Sequence, residues 1–60
     1  MDISRFLTVY ANLPIGIRNE IVVVMDKEGP MTWNAAWVEI QSGTELGKEI
    51  YTKLTQMGVI

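Results

Sequence analysis

A chain of sixty residues holds a single small domain, spanning 1–60, and buries only about 60% of the surface its unfolded form exposes, so its core is marginal. With no cysteine there is no disulfide, and with no histidine either, a metal would find only carboxylates, which excludes zinc sites of the usual thiolate and imidazole kind. An apolar fraction of 48% with 20% charged residues excludes a disordered tail, and a net charge of -2, its cations scattered as Arg5, Arg18, Lys27, Lys48 and Lys53, offers no basic stripe for phosphates.

No apolar run approaches the ~20 residues that a bilayer span requires. The stretch Met1-Asp2-Ile3-Ser4-Arg5 also lacks a basic region leading into an apolar one, as a secretory signal would have. A cytoplasmic protein without membrane association is the expectation.

Ile3, Phe6, Leu7, Tyr10 and Leu13 follow the spacing of one helical face and predict a first helix from about Ile3 to Ala11. Asp2 stands where an N-cap belongs, and Pro14 sets the downstream limit by forcing Leu13 out of the α region. Pro14 to Asn19 then reads as a turn around Gly16.

The run Ile21-Val22-Val23-Val24-Met25 is the predicted central strand, because four consecutive β-branched residues fit a pleated surface better than a helix. Its lack of polar alternation predicts that both of its faces are covered. A rival reading starts a helix at Pro14 and places Ile17, Ile21, Val24 and Met25 on one face, making an all-α four-helix bundle; Gly16 and the β-branched block both count against it. Asp26-Lys27-Glu28-Gly29-Pro30 is a turn signal, after which Met31 and Thr32 supply a short partner strand.

Thr32 is the expected N-cap of a second helix carrying Trp33, Ala36, Trp37 and Ile40 on one face. Gly43 suits the left-handed residue at its end, and Ser42 with Glu45, or Thr44 alone, can cap a third helix from about Glu45 to Met57. Leu46, Ile50, Leu54 and Met57 form its buried stripe, with Tyr51 at the margin and a Glu49–Lys53 pair outside. Gly47 lets this helix approach a bulky neighbour such as Trp37. Gly58 closes the helix, placing Val59 over Leu54. The predicted fold class is α+β in the order helix, hairpin of a long and a short strand, helix, helix.

Three chemical readings can be weighed. Gly43 to Glu49 falls short of a phosphate-binding loop, since three residues rather than four separate its glycines and Glu49 follows the lysine. Without Cys or His the commonest nucleophile and base are missing, and the carboxylates Glu20, Asp26 and Glu28 read as solvated, so no enzyme, cofactor or metal site is expected. A helix-turn-helix comparison of the last two helices meets Thr44, Glu45 and Glu49 where cations and amides should face a DNA groove, so nucleic acid is not the expected partner. A small interaction or structural module that pairs as a homodimer is the leading expectation, with a protein partner also open and a DNA-associated regulator as the alternative. Its candidate surface comprises Val23 on the strand, the indoles Trp33 and Trp37, and the apolar tail Val59 and Ile60.

Overall fold

The computed structural model describes residues 2–60. Among these residues three helices pack against one face of a two-stranded antiparallel hairpin in the order α1 (Ser4–Ala11), a 3₁₀ turn (Ile15–Asn19), β1 (Ile21–Met25), β2 (Gly29–Thr32), α2 (Trp33–Ser42) and α3 (Glu45–Gln56). The α+β class is therefore the one the protein adopts, and the all-α bundle is not. None of the described helices is long and apolar enough to cross a membrane.

The helix ends follow local chemistry. Asp2 lies just ahead of α1, and its carboxylate accepts from the Ser4 amide (3.0 Å) and the Ser4 hydroxyl (2.5 Å). Those two bonds hold the Asp2 carboxyl below the usual aspartate range. Thr32 caps α2 by accepting from the Ala35 amide (3.1 Å), and Thr44, not Ser42, caps α3 by accepting from the Gly47 amide (2.9 Å). Gly43 and Gly58 both take positive φ, as L-residues rarely do. At Gly58 the Val59 amide reaches back to the Leu54 carbonyl (3.0 Å), which is the bond of a Schellman turn.

The core gathers Phe6 from α1, Val23 and Met25 from β1, Ala36 and Ile40 from α2, and Ile50 and Leu54 from α3. Two residues of the expected apolar stripes lie elsewhere: Leu7 is exposed on α1, and Met57, the C-cap of α3, is exposed as well. Gly47 is buried against the backbone of α2 rather than against Trp37. A Cβ there would stand 2.2 Å from the Glu39 carbonyl oxygen, so α2 and α3 cross with main chains in contact.

The hairpin departs most from its sequence reading. β2 begins at Gly29, so Gly29 and Pro30, expected to end regular structure, are strand residues opposite Met25 and Val24. Gly29, at φ 78°, supplies the left-handed return that a tight loop of three residues needs. Pro30 is tolerated because it has no N–H to give: the ladder is carried by the flanking pairs Val23–Met31 and Met25–Gly29, while Val24 and Pro30 turn their backbone groups outward.

β1 is not covered on both faces. Ile21 pairs with Thr32 and Val23 with Met31, which makes Val22 the extra residue of a bulge. The bulge re-phases the strand, so that Val22, Val23 and Met25 face the core while Ile21 and Val24 face water at 59% and 58% exposure. Only one layer of helices is present, and it covers the inner face.

Candidate interaction surfaces

Two tryptophans one turn apart are held by α2, and α1 brings Phe6 and Tyr10 against them. The ring of Phe6 lies 5.9 Å from Trp33 and 6.0 Å from Trp37, and Tyr10 stacks on Trp37 at 5.6 Å. Such pairs are worth about 0.5–1.5 kcal/mol beyond the area they bury. Phe6 is fully buried, whereas Tyr10, Trp33 and Trp37 are half-buried. Both indoles thus serve the core with one side and reach the surface with the other.

The rim of this aromatic stack is polar. Tyr10 Oη donates to Asn34 Oδ1 (2.5 Å), and Asn34 Nδ2 donates in turn to Asn19 Oδ1 (2.9 Å), tying α1, α2 and the 3₁₀ turn together. Arg18 lays its guanidinium over Tyr10, 4.4 Å from the ring centroid. Its Nη2 donates to the Ala11 carbonyl over a long 3.4 Å, and its Nε is closed off from solvent with no hydrogen-bond partner among the described residues. A cation over an aromatic face contributes about 0.5–2 kcal/mol. An unmet buried donor costs about 1–3 kcal/mol, which is of the same order and opposes it.

On the opposite side of β1 lies the outer face of the hairpin. Val24 stands beside its cross-strand partner Pro30, which is also exposed, and Ile21 continues the apolar strip. The strand edges flanking it are blunted. Lys53 Nζ donates to the outward Val24 carbonyl (2.8 Å), and the edge of β2 offers no N–H at Pro30. Lys53 is therefore committed to β1 and not to Glu49; the ion pair found among the described residues is Lys48–Glu45 at 3.4 Å, on the exposed side of α3.

Between the hairpin loop and the start of α3 runs an open cleft of about 500 Å³, rimmed by Asp26, Lys27, Glu28, Glu45, Glu49 and Lys53. It takes four of the seven carboxylates and two of the five cations, and so carries the whole net charge of the chain. All four carboxylates are exposed, and no group of three or more acidic side chains among the described residues could hold a metal ion. They form a solvated rim.

The residues singled out from sequence are dispersed by the fold. Val23 is a correction: it is 3% exposed and belongs to the core, because the bulge at Val22 turns it inward. Trp33 and Trp37 lie together on α2 around Phe6, and Val59 and Ile60 pack half-buried against the same core. The surface that sequence reasoning missed is Ile21 with Val24. Nothing in an uninterrupted apolar run marks which members face out, and the one visible hint is a proline in the facing strand. No protein-family model, curated protein or solved structure matches the chain, which leaves its own geometry as the guide to function.

Proposed function

We propose that the protein is a small non-enzymatic interaction module that self-associates as a two-fold homodimer through the outer face of its hairpin. The observation that carries this reading is the exposure of Ile21 (59%) and Val24 (58%) beside Pro30, on a two-stranded sheet whose other face is filled by Val23 and Met25. Uncharged apolar side chains meet their own copy without like-charge repulsion, and two-fold closure is the commonest arrangement of soluble homo-oligomers. Because Pro30 and Lys53 blunt the strand edges, the pairing is face to face and not a continuation of the sheet.

Size sets the strength. A standard interface removes about 800 Å² from each partner, more than a fifth of the 3727 Å² this chain exposes. Three apolar side chains fill only the centre of such an area, and association itself costs about 4–15 kcal/mol, so the dimer is weak and exchanges with monomer. Sedimentation equilibrium from micromolar to millimolar concentration checks this. The expected mass rises from 6.8 kDa toward its double, and Val24→Lys holds it at the monomer value while the far-UV spectrum stays native. A wild-type mass fixed at the monomer value throughout would overturn the reading.

A DNA-associated role is the second reading, favoured by one feature: α2 and α3 meet across the tight Gly43 corner. The exposed Glu45 and Glu49 on the first turns of α3 oppose phosphate. A salt titration of duplex DNA binding separates the two, since a steep fall of affinity with salt counts phosphate contacts.

A further inference from the structure

We infer that residues 14–20 form a strap that opens from the aromatic stack while the rest of the fold stays intact, with Arg18 as its latch. The 3₁₀ turn buries none of its own residues, and Ile15 points its side chain into water at 79% exposure. Nothing lies within 4 Å of where a Cβ on Gly16 would stand, so the segment rides on the surface and is not packed into it.

What holds the strap is mostly polar, beside the one partly covered apolar side chain, Ile17, at 38% exposure. Asn19 accepts from Asn34 (2.9 Å), the Glu20 carbonyl accepts from the Trp33 amide (3.2 Å), and Arg18 covers Tyr10. The first two sit at the strap's far end, next to β1. Its middle depends on Arg18 and the partly covered Ile17, and at Arg18 the attraction to the ring is opposed by the stranded Nε–H. A latch whose favourable and unfavourable parts are of similar size leaves the closed state little preferred. Opening would uncover the face of Tyr10 while breaking few hydrogen bonds, and regions of that kind open first in folded proteins.

Native-state hydrogen exchange tests this, with the amides of Ile17 and Glu20 as reporters, because they donate within the strap to the Pro14 carbonyl (3.0 Å) and the Ile17 carbonyl (2.9 Å). They are expected to exchange at least about a hundredfold faster than the α3 amides of Ile50 and Leu54, and to show almost no dependence on low denaturant. Arg18→Ala removes the half-buried stem along with the cation and the stranded donor, and because the last two offset each other it is the lost stem that raises their exchange by about tenfold, or about 1.4 kcal/mol, without altering α3. Arg18→Met keeps the stem and deletes the stranded donor, and stays within about threefold of wild type. Strap amides that exchange only with α3, at the same protection and denaturant slope, would overturn the inference. So would Arg18→Met opening the strap as fully as Arg18→Ala.

Discussion

Val23 and Val24 are neighbours of identical chemistry on one strand, yet one is 3% exposed and the other 58%. The inner face of the hairpin is covered by helices and the outer face is bare, and the bulge at Val22 decides which valine goes where. Burial in this strand is thus a matter of register and not of residue type, since a shift of one position exchanges the two faces. The inner face holds the core, and the outer face is the one proposed for association.

The contrast breaks most readily from the inside. Val23→Lys places an unpaired ammonium among Phe6, Ile40 and Leu54 and is expected to cost about 3–5 kcal/mol, enough to unfold a domain of this size in a urea melt. Gly47→Ala tests the helices behind that face. The added methyl meets the Glu39 carbonyl at 2.2 Å, and overpacking of about 1–3 kcal/mol outweighs the gain of roughly 1 kcal/mol in helix propensity, so the thermal midpoint falls. On the outer face Val24→Lys is expected to change stability by no more than about 0.5 kcal/mol while weakening self-association.

Asp2, exposed ahead of α1, should matter least. Its carboxyl is held below the usual value by the Ser4 hydroxyl and amide. A carboxylate whose folded value lies below its unfolded one stabilises the fold above the unfolded value, and that help is lost as the pH falls through the folded value, below about pH 4. Asp2→Asn is therefore expected to flatten the acid limb of a pH–stability curve slightly and to leave the neutral region almost unchanged.

What was legible in the sequence was local. The caps at Thr32 and Thr44 and the glycine closures at Gly43 and Gly58 are each decided within about five residues, and they stand where the spacing put them. The strand assignment of Ile21 to Met25 rested on β-branching and holds for the same reason. The bulge did not show, because a run with no polar member carries no phase; it is set by pairing with β2. Its lack of a side chain marks Gly47 as a point of close approach, but its neighbour is the backbone of α2, which only the crossing of the two helices sets. The same blindness to register placed Val23 on the candidate surface and left Ile21 and Val24 off it. Arg18 over Tyr10 joins residues eight apart across a proline, a spacing with no periodic signal.

The two faces can be read side by side in one dilution series. Methyl chemical shifts of Ile21, Val23 and Val24, followed from millimolar to micromolar protein, report directly which side of the strand meets a second copy. The Ile21 and Val24 methyls are expected to move together along one binding curve while Val23 stays fixed. Shifts independent of concentration at all three, or movement confined to Val59 and Ile60, would contradict it.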